Sequence, residues 1–155
     1  MAPNPETALE ALKDAAVAAM HHAYAPYSKF HVGAAVRGVD GRVWGGCNVE
    51  NVSYGLTICA ERTAIVKAVS DGCQKFTDMV VVCSLTSAPG FPCGACRQFL
   101  VEFSTDEAPL MLHAITPDKR HCISMSPAEL LPKAFTPSTL PSPSDLQPPT
   151  PKQSN

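Results

Sequence analysis

The apolar run MVVVC at residues 79–83 constrains the fold of this chain more than any other feature. It lacks the polar alternation of a strand that faces water on one side, so the strand it predicts is buried on both faces. Helices are predicted before and after it, at about residues 59–70 and 94–103. A doubly buried strand between two helices predicts an α/β fold.

The other elements are predicted from caps, turns and apolar periodicity. Their order is helix, hairpin, helix, strand, helix, strand, strand, helix. This order predicts a three-layer α/β/α sandwich around a mixed sheet of about five strands, with a right-handed crossover between the middle strands. The signals are a helix capped by Asn4 and ending before Pro26, strands near 31–37 and 43–49 joined at Asp40-Gly41, strands near 109–115 and Cys122, and a capping box from Ser126 to Glu129.

The composition changes after Phe135. The segment TPSTLPSPSDLQPPTPKQSN is rich in proline and serine and nearly without apolar residues. Such a segment buries too little surface to offset its ordering entropy. We therefore predict one folded domain over residues 1–135 and a disordered tail over residues 136–155.

Charge and hydropathy exclude several classes of protein. The net charge is −2 and the isoelectric point is about 6.2, which argues against a nucleic-acid binder with a basic face. No segment has the ~18 uninterrupted apolar residues of a membrane helix, so no membrane partner is expected. Glu10, Lys13 and Asp14 interrupt the alanine-rich first helix, which argues against a signal peptide and leaves the cytoplasm as the expected location.

The cysteines predict a metal site. The chain has seven, an odd number that does not suit a disulfide framework. Cys93 and Cys96 are spaced to share one helix face, and Cys59 begins another helix, so two positive helix ends favour the thiolates. Zinc is usually four-coordinate and takes such ligands. Three protein ligands leave one position for water, which is the catalytic pattern.

Two neighbours of Cys59 extend the site. Glu61 lies in the same first turn and points in another direction, where it can take a proton from water without binding the metal. Arg62 is predicted to donate a hydrogen bond to a ligand sulfur, Cys93 or Cys59, which offsets the negative charge of three thiolates. The alternatives for these cysteines are core packing and a redox pair at Cys93 and Cys96.

These residues carry a resemblance. The motifs YAPYSKFHVGAAV, GGCNVENVSYGLTICAERTAI, PCGACRQ and ELLPKAF are spread over residues 24–135. They resemble the zinc cytidine deaminases of the small, nucleoside-acting, homotetrameric type. The wider zinc deaminase class uses three cysteines as one ligand option and a glutamate as general acid/base.

The resemblance implies further roles at matching positions. Phe30 packs against the pyrimidine, Asn48 and Glu50 bind the ribose hydroxyls, and the backbone of Ala60 contacts the base. Gln98 supports the ligands, Tyr54 reaches toward a neighbouring subunit's site, and Phe135 completes a neighbour's site. The two phenylalanines have core packing as their alternative, and Asn48 and Glu50 have a turn role. His31 and Gly55 stand where the family often has proline, which affects the loops around the pocket rather than the chemistry.

The implied reaction is hydrolytic deamination of cytidine and 2′-deoxycytidine to uridine and 2′-deoxyuridine, with release of ammonia and one zinc ion per subunit. The enzyme is then a hydrolase of C–N bonds in cyclic amidines that serves pyrimidine salvage. Two alternatives remain at this stage. One is a deaminase of another aminopyrimidine, such as a nucleoside antibiotic. The other is a structural zinc module with a closed four-ligand site.

Overall fold

Five strands form one sheet in the computed structural model, which describes residues 4–106 and 108–140. Their spatial order is β2-β1-β3-β4-β5; β3 and β4 run parallel, and every other neighbouring pair is antiparallel. The predicted mixed sheet of about five strands is therefore confirmed. The strands are β1 (Val32–Gly38), β2 (Val43–Cys47), β3 (Phe76–Cys83), β4 (Met111–Ile115) and β5 (Cys122–Met125).

Helices cover both faces of the sheet, as predicted. On β3, Val80 and Val82 pack with Leu12 and Ala16 on one face, whereas Met79 belongs to the core on the other face. The apolar run is thus buried on both sides, and the three-layer arrangement follows from it. The helices are α1 (Pro5–Met20) on the first face, α2 (Ala60–Ser70) and α3 (Gly94–Glu102) on the second, and the short α4 (Pro127–Leu130).

Local signals place the helix starts. Asn4 accepts a hydrogen bond from the backbone N–H of Glu6, and Ser126 and Glu129 form the reciprocal capping box. α2 begins at Ala60 with Cys59 as its N-cap, one residue later than predicted. Within the described part of the chain, no helix combines the length and apolarity needed to cross a membrane.

A tertiary contact sets the ends of two elements. α1 ends at Met20, well ahead of Pro26, and β2 ends at Cys47 rather than at residue 49. The residues between α1 and β1 turn back so that Tyr24 exchanges backbone hydrogen bonds with Asn48 and Glu50, at 3.0 and 2.8 Å. This bridge places the residues after β2 beside the start of α2.

The predicted tail is described only at its beginning. Pro137–Thr139 form a single 3₁₀ turn, and residues 141–155 lie outside the described residues. The domain boundary at residue 135 and the disorder of the tail stay predictions.

Gly46 sets the depth of α2 against the sheet. A Cβ atom at this position would lie 2.4 Å from the backbone nitrogen of Ala64 and 2.7 Å from the carbonyl oxygen of Ala60. Only glycine permits this approach, because backbone atoms of a helix cannot move aside independently. Gly46 therefore fixes the position of the first turn of α2.

Replacing Gly46 with alanine is expected to lower the free energy of unfolding by about 1–3 kcal/mol, because the helix must move away from the sheet. Urea denaturation followed by circular dichroism measures this difference. Gly55→Ala is the matched control, since no atom lies within 4 Å of a Cβ built there, and it is expected to change stability by less than about 0.5 kcal/mol. Equal stability of Gly46→Ala and wild type would show that α2 adjusts freely.

Candidate metal centre and catalytic cavity

Three cysteines from two helix starts form one cluster. Cys59 is the N-cap of α2, Cys93 is the N-cap of α3, and Cys96 lies in the first turn of α3. Their sulfur atoms all lie within 4.8 Å of one another, and the Cys59 and Cys93 sulfurs are 3.8 Å apart. Two thiolates bound tetrahedrally at about 2.3 Å from zinc are about 3.8 Å apart, so the cluster fits this ion. Among the described residues, no fourth His, Cys, Asp or Glu side chain joins it.

The cluster already stabilises one thiolate. Hydrogen bonding from Cys96, with further bonds from Arg62 and Cys93, lowers the pKa of Cys59 to about 5. The same interaction with Cys59, together with burial, raises the pKa of Cys96. Because helix N-termini also favour anions, Cys59 is the ligand that is ionised first at neutral pH.

Arg62 forms a hydrogen bond with Cys59, one of the two cysteines, Cys93 or Cys59, that were predicted as its partner. Its Nη2 atom donates to the Thr57 carbonyl oxygen at 3.3 Å and to the Cys59 sulfur at 3.5 Å. Its Nε atom is buried and has no hydrogen-bond partner among the described residues. A guanidinium held in this way brings a fixed positive charge to a set of anionic sulfurs.

Glu61 is a buried carboxyl group next to the cluster. It lies in the first turn of α2 with only 4% of its surface exposed. Burial raises its pKa, and the negative charge of Cys59 adds to this effect. A carboxyl group whose pKa is raised toward neutrality is suited to accept and return a proton.

A cavity of about 300 Å³ opens beside these residues. Cys59, Glu61 and Cys93 line one part of it. Four residues assigned to substrate from the sequence also line it, namely Phe30, Asn48, Glu50 and Ala60. The structure thus brings the metal cluster, the buried carboxyl group and the expected substrate contacts to one cavity.

Asn48 and Glu50 line the cavity, and their side chains also form hydrogen bonds with the backbone of its wall. Asn48 accepts a hydrogen bond from the Val32 N–H at 2.9 Å and donates to the Phe30 carbonyl oxygen at 2.8 Å. Glu50 accepts from the backbone N–H groups of Tyr27 and Ser28, at 2.9 and 3.2 Å. Hydrogen bonding from Ser28 lowers the pKa of Glu50, so this side chain is a carboxylate at neutral pH. The turn role named as an alternative is therefore present, and each side chain keeps further hydrogen-bonding capacity.

Three residues assigned from the sequence lie outside both the cavity lining and the surroundings of the cysteine cluster. Tyr54 is 74% exposed and lies 5.8 Å, centroid to centroid, from the ring of Tyr27. Phe135 is 62% exposed, and its carbonyl oxygen accepts a hydrogen bond from the Gln98 side chain at 2.7 Å. Among the described residues, Gln98 makes no hydrogen bond to a ligand sulfur, so its contact is with the C-terminal segment.

Some lining residues were not assigned from the sequence. Ser28 lines the cavity, and a serine in a turn that precedes an expected substrate contact is a sequence signal that could have identified it. Phe91 stands immediately before Pro92 and Cys93, where an exposed aromatic side chain next to a metal ligand is another such signal. Cys83 reaches the cavity from the end of β3, and nothing in the sequence separates it from an ordinary core cysteine.

The family comparison decides what this arrangement is. A family model described as the cytidine and deoxycytidylate deaminase zinc-binding region matches residues 6–112, a span that includes all three clustered cysteines. The chain belongs to the cytidine and deoxycytidylate deaminase family. The resemblance stated from the sequence is thereby confirmed; zinc is the cofactor of this family, and the cluster of three cysteines has a donor set that fits it.

Relatives and solved structures agree with this family. A cytidine deaminase of Sporosarcina psychrophila is 48% identical over 118 residues, which cover 76% of this chain and 84% of that protein. A probable cytidine deaminase of Dictyostelium discoideum is 47% identical and covers 83% of this chain and 84% of its own length. The crystal structure of cytidine deaminase from Burkholderia pseudomallei matches with a TM-score of 0.75 and 44% identity, covering 81% of this chain and 98% of that one. The deaminase fold predicted from the sequence is therefore confirmed.

Proposed function

We propose that this chain is a zinc-dependent hydrolase that deaminates cytidine and 2′-deoxycytidine to uridine and 2′-deoxyuridine and releases ammonia. The observation that carries this proposal is the position of Glu61. Its buried carboxyl group shares one cavity with two cysteines of the cluster, Cys59 and Cys93, and with Phe30 and Glu50. The structural-module alternative requires a fourth protein ligand, and none joins the cluster among the described residues.

Glu61 moves the protons of the reaction. Zinc held by Cys59, Cys93 and Cys96 supplies Lewis-acid activation of water at neutral pH. Glu61 accepts a proton from the attacking water and passes it to N3 of the pyrimidine as the new C–O bond forms at C4. It then takes the proton of the new C4 hydroxyl group and delivers it to the amino nitrogen, so that the C4–N bond breaks, the C4 carbonyl forms and ammonia leaves. Its burial keeps the proton from exchanging with bulk solvent during these transfers.

The other lining residues position the nucleoside. Glu50 is an ionised acceptor for the sugar hydroxyl groups, and Asn48 supplies amide groups beside it. The Phe30 ring packs against the pyrimidine, and the backbone of Ala60, next to Glu61, contacts the base. Recognition of a sugar by this pair favours a nucleoside over other aminopyrimidines.

The substrate test compares nucleosides with a monophosphate. The cavity lining contains Glu50 and Glu61 and, among the described residues, no lysine or arginine to meet a phosphate. We expect loss of ultraviolet absorbance with cytidine and 2′-deoxycytidine, and at least ~100-fold lower kcat/KM with deoxycytidine monophosphate, since like charges repel in a partly desolvated site. Prior removal of zinc with a chelator is expected to abolish turnover. Comparable turnover of the monophosphate would contradict the charge argument, and inactivity on all three would overturn the proposed function.

The exposed aromatic residues support a homotetramer with sites at its subunit interfaces. Tyr54 and Phe135 are mostly exposed in the single chain, as expected for side chains that complete a neighbour's site. Full activity of a monomer would contradict this assembly. Seven free cysteines suit a reducing compartment, which supports a cytoplasmic enzyme of pyrimidine salvage.

Arg62 tunes the ligand set. Replacing Arg62 with glutamine removes a positive charge that helps keep the pKa of Cys59 low, so protons compete better with zinc. Zinc affinity is expected to fall by about 10–100-fold, as for other groups behind metal ligands, and zinc release on acidification is expected to begin at a higher pH. Competition with a chromophoric chelator across a pH series measures both effects. Arg120→Gln, which removes an exposed arginine, is the control, and an unchanged affinity and pH profile in Arg62→Gln would refute this role.

A further inference from the structure

The turn that precedes β1 is tied to Glu50 by a serine. The Ser28 hydroxyl donates to one carboxylate oxygen of Glu50 and accepts the backbone N–H of Phe30 at 3.1 Å. The other carboxylate oxygen accepts the N–H groups of Tyr27 and Ser28. One side chain therefore connects the carboxylate expected to bind the sugar with the backbone of the aromatic residue expected to pack on the base.

This connection surrounds a backbone position of an uncommon conformation. Lys29, between Ser28 and Phe30, has a φ of 58°, in the left-handed region that non-glycine residues seldom adopt. Its N–H donates to the Ala25 carbonyl oxygen at 3.1 Å, which closes the turn. Because hydrogen bonds on both sides of Lys29 fix the turn, the direction of the Phe30 side chain depends on Ser28 and Glu50.

We propose that Ser28 is a positioning residue that orients the Glu50 carboxylate toward the sugar hydroxyl groups and fixes the turn that carries Phe30. This inference rests on the proposed function, because it assigns how one wall of that same site recognises its nucleoside. Ser28 lines the catalytic cavity and also a smaller one formed with Tyr27, Glu50, Tyr54 and Thr57, so this residue lies where the two cavities meet.

Ser28 acts on binding rather than on proton transfer. Its hydrogen bonds go to Glu50 and Phe30, and none goes to Glu61 or to the cysteine cluster. Removing its hydroxyl takes away the donor to Oε1 of Glu50 and leaves only the two backbone N–H bonds to Oε2, so Oε1 is no longer held toward the sugar. The loss is therefore expected in KM, with kcat nearly unchanged, and it depends on the presence of sugar hydroxyl groups.

Steady-state kinetics of Ser28→Ala with two substrates test this role. With cytidine, KM is expected to rise on the order of tenfold, as for loss of a hydrogen bond to a charged group, while kcat changes less than about twofold. With 2′,3′-dideoxycytidine, which lacks both hydroxyl groups, the rise in KM is expected to stay below about threefold. In a Glu50→Gln background, Ser28→Ala is expected to add less than about twofold. Ser28→Thr keeps a hydroxyl group and is expected to restore KM, and Ser70→Ala, at the exposed end of α2, is the control.

Each outcome has one meaning. Equal rises in KM on both substrates, or a loss confined to kcat, would overturn the link to the sugar. Unchanged kinetics of Ser28→Ala would overturn the positioning role and leave the proposed function intact. Wild-type inactivity on cytidine would instead overturn the proposed function, and this inference with it. Zinc content and thermal unfolding separate these results from misfolding, and a KM not restored by Ser28→Thr in a folded protein counts against the proposal.

Discussion

Glu61→Gln is expected to lower kcat for cytidine by more than about 10⁴-fold. A single acid/base group typically contributes about 10²–10⁴-fold, and Glu61 serves several proton transfers in succession. Glutamine has nearly the same shape and cannot accept or return a proton, so binding is expected to persist while chemistry stops. Single-turnover absorbance measurements give kcat, and equilibrium binding of cytidine shows that the cavity is intact.

The control for this substitution is Glu102→Gln, which changes an exposed glutamate at the end of α3. It is expected to leave kcat within about twofold of wild type. Thermal unfolding of Glu61→Gln is expected at a temperature no lower than that of wild type, because a buried carboxylate is replaced by a neutral group. Near-normal turnover in Glu61→Gln would remove the acid/base role on which the proposed mechanism depends.

Cys93→Ala is expected to abolish both stoichiometric zinc binding and deamination. Changes behind metal ligands commonly cost 10–100-fold in affinity, so loss of a direct ligand is expected to cost more than about 100-fold. Two sulfurs would remain on the cluster, and the helix start of α3 would lose its thiolate. Zinc content by elemental analysis and turnover of cytidine are the two measurements.

Cys122→Ala is the matched control, because Cys122 is an exposed free cysteine on β5. Its zinc content and kcat are expected to equal those of wild type. If Cys93→Ala kept one zinc ion per chain and full activity, the cluster would be a packing feature, and the zinc site would have to be sought elsewhere.

Much of the fold was predictable because local chemistry specifies it. The run from Met79 to Cys83 has no polar residue, so burial on both faces was required, and a helix layer on each face of the sheet follows from it. Asn4 and the Ser126 capping box place helix starts through hydrogen bonds within four residues. The cysteine cluster was predictable because helix geometry fixes where residues 93 and 96 point.

The rest depends on contacts between segments distant in sequence. α1 ends at Met20 because Tyr24 pairs with residues after β2. The residues near Tyr24 in the sequence do not indicate this pairing. The Asn48 side chain forms one hydrogen bond with the backbone of Phe30 and one with the backbone of Val32. A resemblance to a substrate-binding residue does not reveal this structural role. Gln98 was expected near the ligands, and its contact with Phe135 depends on the path of the C-terminal segment.

The placement of the cysteines on two different helices makes the metal a cross-link of the chain. Cys59 and Cys93 are 34 positions apart, so an ion bound to both closes a long loop. In polymer terms, a closure of this length removes about 4 kcal/mol of conformational entropy from the unfolded ensemble. By mass action, the melting temperature of the enzyme should then follow the concentration of free zinc, and a chelator should weaken the fold as well as stop turnover.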